Sequence, residues 1–432
     1  MQKFLDNYFR LSEHGTSIRT EVIAGVTTFL SMAYITVINP AILSDAGMDF
    51  GAVFVATCIA AAVGSLVMGV WANYPIAQAP GMGQNAFFTY GVVLGLGHTW
   101  EAALGAVFVS GIIFVVLSVL PVREWLINAI PKNLKLGISA GIGLFLGFIA
   151  LKNAGIVVDN PATLVSLGPL TAPGAMICLV SFALIAALSS RGITGAVIIG
   201  MFVATLLGLG SGAAEYHGLI SAPPSLEPVL FKFDLMAALD VSMVTVIITM
   251  LLVDVFDTAG TLVGVSNRAG LLDENGKLPR LGKALLSDSA ATVVGAVVGT
   301  SSTTSYIESA AGVESGGRTG LVAVTAAVMF LLCLFFAPLA QTIPAFATAA
   351  ALLFVACIMA RSLADLDWDD LTESAPAVVC ALSMPLTFSI ADGIGLGFVT
   401  YVVVKLMSGK AAECPVAVYV IAAIFLGKFL LL

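Results

Sequence analysis

The sequence predicts an all-α polytopic membrane protein with fourteen transmembrane segments in two inverted seven-helix repeats, and short β-strands in the broken third and tenth spans. Three observations lead there. Of the 432 residues, 59% are hydrophobic and only 10% are charged, a balance that a soluble domain of this size could not keep in water. Apolar runs near the roughly 20 residues that cross about 30 Å of hydrocarbon recur from residue 20 to the C-terminus. Two of these runs are interrupted by Pro, Gly and Ser at corresponding places in the two halves.

Hydropathy places the spans at 20–43, 51–72, 83–95, 100–121, 135–152, 172–189, 192–210, 240–264, 282–299, 305–316, 319–340, 343–360, 372–388 and 390–409. The first 19 residues include Lys3, Arg10, His14 and Arg19 and lack an apolar core with a small-residue cleavage site, so no removable signal peptide is expected. Arg10 and Arg19, then Arg123, Lys132, Lys135, Arg191, Arg268, Lys277, Arg280, Lys283, Arg318, Arg361 and Lys410 all fall on one side of this arrangement. The other side carries only Lys152 and Lys232, so positive-inside asymmetry predicts cytoplasmic N- and C-termini. The short loops fit a bacterial inner membrane.

Domain organisation follows the spans: a first repeat over 1–210, an outer linker over 211–239, a second repeat over 240–409 and an apolar C-terminal helix over 410–432. Because seven is odd, the second repeat enters the bilayer from the opposite side. The six cysteines, Cys58, Cys178, Cys333, Cys357, Cys380 and Cys414, are scattered through the spans and suit neither a disulfide framework nor a zinc site.

The interrupted segments read YPIAQAPGMGQNAFFTYGVV from Tyr74 and TSSTTSYIESAAGVESGGRTGLV from Thr300. A strand followed by a half-helix leaves backbone groups unpaired at mid-membrane depth, at several kcal/mol per group in lipid, roughly. Pairing of Pro75–Pro80 with Ser302–Ile307 as an antiparallel ribbon satisfies both, and brings two half-helix N-termini to one cavity. Ordinary Gly-rich packing segments are the competing reading.

Intramembrane carboxylates cost roughly 2.5–3.5 kcal/mol each at a helix centre and persist where something compensates them. Asp254, Asp257 and Glu308 stand out. The two aspartates lie three residues apart and share a helix face, while Glu308 closes the extended stretch TTSYIE. No basic residue is expected at that depth, leaving protonation, mutual hydrogen bonding or a donor-bearing ligand. A buried structural network is the alternative, above all for Asp254. Glu314 is expected to pair with Arg318, and Glu21 and Asp392 to serve helix ends. On the opposing segment, Gly81 and Gly83 allow close backbone approach, and Gln84 and Asn85 each donate and accept. Acceptors facing amides suit a flat heterocycle with ring N–H and ring N, and suit an anion poorly. Phe87, Phe88, Tyr90, Phe256 and Tyr306 are candidate stacking rings, although any one of 25 phenylalanines has ample packing roles.

The strings GMGQNAFFTY, DVFDTAGTL and TTSYIESAAGVESGGRTG resemble those of the AzgA-like purine permeases, a branch of the second nucleobase-cation symporter family. The resemblance runs from about Tyr8 to the last span. It implies fourteen spans divided into a core and a gate domain, and proton symport of adenine, guanine and hypoxanthine. It further implies that Asn85, Asp254 and Glu308 are essential for transport and that Gly83 and Asp257 bear on substrate binding or selection. Related uracil and xanthine carriers have a glutamate on the eighth span, whereas this chain offers two aspartates. Asp257, with Thr258 and the small Ala-Gly pair beside it, is the preferred substrate contact.

The resulting site comprises Glu308, Asp257, Asn85, Gly83, Gln84 and Phe87 for substrate, with Asp254, Asp257 and Glu308 for proton coupling. The expected partners are a purine nucleobase, protons and membrane lipids, with a homodimer allowed, no nucleic acid and no cofactor or metal. Rival readings are an anion transporter or channel of the same fold, a sodium-coupled nucleobase carrier, and an intramembrane enzyme. An anion carrier predicts a basic residue near the broken segments, where Arg318 alone qualifies, at the edge. An enzyme lacks support because His14, His98 and His217 form no ligand or nucleophile constellation.

Overall fold

The computed structural model describes residues 2–120, 130–273 and 278–431; Arg123 and Lys277, which the charge pattern sets on loops, lie outside the described residues. Helices overlap the predicted spans, with the first span broken after Met32 and the third and tenth holding only short helices. In chain order they are α1 Gln2–Phe9, α2 Ile18–Met32, α3 Ile35–Asp45, α4 Phe50–Val67, α5 Met82–Ala86, α6 Trp100–Val119, α7 Lys132–Asn153, α8 Pro173–Ser190, α9 Ala196–Ser211 and α10 Leu235–Ala238. They continue as α11 Val244–Arg268, α12 Leu281–Val298, α13 Ser309–Glu314, α14 Gly320–Cys333, α15 Ala337–Thr342, α16 Ala345–Ala360, α17 Leu371–Thr387, α18 Ile390–Met407 and α19 Val416–Leu431. Among the described residues, ten helical segments are long and apolar enough to cross a membrane.

Their starts follow from capping chemistry. Asp49 accepts from the Ala52 N–H at 2.7 Å to begin α4, and Asp370 from the Thr372 N–H at 2.8 Å to begin α17. Glu21, fully buried, caps a different helix: its carboxylate accepts from the Arg318 and Thr319 N–H groups at 2.8 and 3.1 Å, where α14 begins.

Two groups of helices pack chiefly among themselves. One contains α2, α4, α6, α12, α13 and α14; the other contains α7, α8, α9, α16, α17 and α18. Between α13 and α2 the approach is so close that a Cβ on Gly312 would lie 2.1 Å from Thr28 Oγ1 and 2.6 Å from the Ala24 carbonyl. Only glycine fits there.

The structure departs from the sequence reading in four places. Strands β2 Val157–Asn160 and β3 Leu164–Leu167 form an antiparallel hairpin in a connection, where valine and leucine runs flank an Asn-Pro turn. Helix α9 starts at Ala196 because Gly192 and Gly195 adopt positive φ, which leaves it only 16 residues. Glu314 does not pair with Arg318: it bonds Arg268 at 2.9 Å. Gly316, at φ +100°, turns the chain so that Arg318 swings back onto the Val313 and Gly317 carbonyls, both at 2.7 Å, at the open C-terminal end of α13. Finally, Lys405 is 1% exposed within α18, held by Glu373 at 2.8 Å and Glu413 at 2.9 Å, so a cation is buried where none was expected.

Candidate functional site

Strand β1, Gln78–Pro80, pairs antiparallel with β4, Thr303–Ser305, in the register Gln78↔Ser305, Ala79↔Thr304 and Pro80↔Thr303. The predicted ribbon is present and shorter at both ends. It is prolonged by Gly81 N–H donating to the Ser302 carbonyl at 2.9 Å and Tyr306 N–H to the Ala77 carbonyl at 3.0 Å. All six strand residues are buried, so these bonds are what lets irregular backbone exist at this depth.

A carboxylate that sequence reasoning passed over braces the ribbon. Asp288 on α12 is fully buried; its Oδ1 accepts from Gln78 Nε2 at 3.0 Å and Ser305 Oγ at 2.7 Å, and its Oδ2 from Thr258 Oγ1 at 2.6 Å. One acid thereby ties both strands to α11. The signal was available, since Asp288 falls inside a predicted span.

Asp254 and Asp257 do not behave alike. Three residues advance an α-helix by about 300°, which leaves the side chains about 60° apart. That is enough to turn Asp254 inward, 2% exposed, where Oδ2 accepts from Thr292 Oγ1 at 3.0 Å and Ser302 Oγ at 2.9 Å. Asp257 is exposed, yet it stands within electrostatic reach of Glu308, Tyr34 and Tyr306.

On α5, Gln84 lies beside Asp254, with both amide atoms buried and unbonded, as is Asp254 Oδ1. Asn85 Oδ1 accepts from Ser301 Oγ while its Nδ2 is buried without a partner. Orphaned buried polar atoms of this kind carry a cost of about 1–3 kcal/mol each that a ligand or water relieves. Gly83 meets α7, where a Cβ would lie 2.6 Å from Ile142 Cγ2. Phe87 and Phe88 are packed inside, at 1% and 0% exposure. Tyr306 donates to the Pro80 carbonyl at 2.5 Å, and Tyr90 to Asp45 Oδ2 at 2.6 Å. Phe256 carries the Lys135 ammonium 5.6 Å from its ring centroid.

Glu308 is half-buried at the start of α13 and makes no capping bond there. Its Oε1 accepts instead from the Tyr34 hydroxyl. Both residues line a cavity of about 360 Å³ that extends past Ser189, Thr194 and Ser315 to Glu314. Among the described residues, two acids and no lysine or arginine line it; Asp257, Asn85, Gln84, Gly83 and Phe87 do not. Tyr34, missed in the sequence, gives no signal there because tyrosine is unremarkable in an apolar run.

A helical bundle in which two interrupted segments are joined by a buried ribbon, with a cavity beside the second of them, has the build of a multi-pass membrane transport protein. The chain belongs to the permease family whose model, Xan_ur_permease ("Permease family"), matches residues 19–396, and the resemblance drawn from its motifs is upheld. It is 50% identical to the putative permease MJ0326 of Methanocaldococcus jannaschii, over 100% of this chain and 99% of that protein. It is 48% identical to the adenine permease AdeP of Escherichia coli (99% and 96%) and 46% identical to the guanine/hypoxanthine permease PbuO of Bacillus subtilis (96% and 98%). Among solved structures, the transmembrane domain of the cyanobacterial bicarbonate transporter BicA superposes with a TM-score of 0.64 at 14% identity, over 86% of this chain and 96% of that one. That likeness concerns the fold alone.

Proposed function

We propose that this permease imports purine bases of the adenine, guanine and hypoxanthine class by proton symport with alternating access. The observation that carries the reading is the Glu308 residue bordering a cavity that no cationic side chain lines among the described residues. Such a site accepts N–H donors of a neutral base and disfavours an anion. The adenine and guanine/hypoxanthine permeases among its relatives support the cargo, and a volume of about 360 Å³ falls in the range of small-molecule sites.

In this mechanism Glu308 accepts from the purine edge in the cavity; Asp257 as a second acceptor and Asn85 and Gln84 as amides, with Gly83 bringing α5 close to α7, do not line that cavity and join the site when the two helix groups move. Asp254, Asp257 or Glu308 takes up the coupled proton, and a protonated acid donates to a ring nitrogen. Phe87 is retained as a ring that becomes available when the packing around α5 changes. The fourteen-span, two-repeat topology and cytoplasmic termini belong to this proposal. So does the division into a core, built on the ribbon and the α2–α14 group, and a gate of α7–α9 and α16–α18. Alternating access is then movement of one group against the other.

Competition of labelled hypoxanthine by a nucleobase panel on purified protein tests the cargo: displacement by purines is expected, and displacement by bicarbonate instead would sink it. Uptake in cells should collapse with a protonophore and survive replacement of sodium by choline; the opposite pattern makes the carrier sodium-coupled. Glu308→Ala should insert into the membrane and transport nothing.

A further inference from the structure

Tyr34 occupies the break between α2 and α3 and is 1% exposed, so its ring is packed while its hydroxyl reaches Glu308 Oε1. The pairing is not incidental to side-chain motion. Gly312 on α13 seats directly on Ala24 and Thr28 of α2, so the helix that presents Glu308 is locked to the helix that ends at Tyr34. Beyond a bond to its own backbone, Glu308 has no capping duty that would orient its carboxylate. Among the described hydrogen bonds between side chains, Tyr34 supplies the one that does. Asp257 and Tyr306 lie within electrostatic reach of the same hydroxyl, and both Tyr34 and Glu308 border the cavity.

We propose that Tyr34 is a positioning residue for transport: by donating to Oε1 it fixes the Glu308 carboxylate so that Oε2 is the oxygen offered to the cargo. This inference rests on the base-binding reading of Glu308. With Oε1 committed, a base N–H meets one pre-aimed acceptor, and a proton entering the carboxyl group is directed to the same oxygen. Tyr34 acts through Glu308 and does not itself touch the base. A carboxylate freed from this bond rotates between orientations, and the base must select the productive one, which weakens apparent binding.

Tyr34→Phe removes one oxygen and keeps the ring that packs the helix break, so the fold is preserved. Affinities for labelled adenine, guanine and hypoxanthine are measured per folded molecule, together with KM and maximal uptake rate. Tyr34→Phe is expected to weaken binding and raise KM about tenfold, the loss of one charge-assisted bond's worth of orientation, while the maximal rate per transporter stays near wild type. A merely structural tyrosine would lower the amount of folded protein and leave KM and affinity unchanged, which overturns the proposal; so does tighter binding, which would make Tyr34 a competitor of the base. Glu308→Ala separates the two readings. If it transports normally, the site itself is misassigned and the inference goes with it; if it is inactive and Tyr34→Phe binds as wild type, only the role of Tyr34 fails.

Discussion

Thr258 Oγ1 on α11 donates to Asp288 Oδ2 on α12 at 2.6 Å, and the other oxygen of the same carboxylate holds Gln78 and Ser305 from the two strands of the ribbon. Four elements thus converge on one buried acid. Asp288→Asn replaces an acceptor with a donor, so at least one of the three donors loses its partner at about 1–3 kcal/mol. Thermal unfolding in detergent should show a clearly lower midpoint and uptake should fall; an unchanged midpoint removes the bracing role.

Gly83 and Ile142 meet where α5 touches α7. A methyl group at Gly83 would stand 2.6 Å from Ile142 Cγ2, an overlap worth about 1–3 kcal/mol if the helices hold their spacing. Gly83→Ala should cut uptake, and adding Ile142→Ala should restore it. Failure of the second change to rescue the first would point to a direct contact between Gly83 and cargo instead.

At Gly312 no such rescue is expected. Its added Cβ would meet the Ala24 carbonyl at 2.6 Å as well as Thr28 Oγ1, and backbone cannot retreat as a side chain can. Gly312→Ala with Thr28→Ala should therefore remain unstable by thermal unfolding, and full recovery in the double variant would mean the α2–α13 contact is looser than described.

Two lysines near the C-terminus should differ sharply. Lys405, 1% exposed, ties the largely exposed Glu413 to the more buried Glu373; its removal leaves Glu373 with the Tyr401 hydroxyl in place of the ion pair, at about 1–3 kcal/mol. Lys428, at 2.8 Å from the more open Asp392, is worth about 1 kcal/mol or less. Comparing unfolding midpoints of Lys405→Ala and Lys428→Ala checks the order.

The ribbon and the acids were legible because lipid penalises both an unpaired strand and a bare carboxylate, so each leaves a mark in sequence. What pairs with what was less legible. Arg318 follows Glu314 at helical spacing, yet the glycines between them end the helix and send the arginine to carbonyls. Asp288 was overlooked because the flanking Ser, Ala and Thr of α12 dilute its context, although it is as buried as Asp254. The split between Asp254 and Asp257 depends on helix rotation against the ribbon, which spacing alone constrains only to within a face. Tyr34 owes its place to a helix break that nothing in MAYITVINP announces.

The ribbon also dictates an order of assembly. Gln78 waits for Ser305, which leaves the ribosome 227 residues later. Until then the first half of the newborn chain sits in the bilayer with one strand edge open, so it cannot mature as an independent unit. A cell making only that half would be expected to degrade it, whereas the two halves supplied as separate polypeptides could stitch themselves together along this seam.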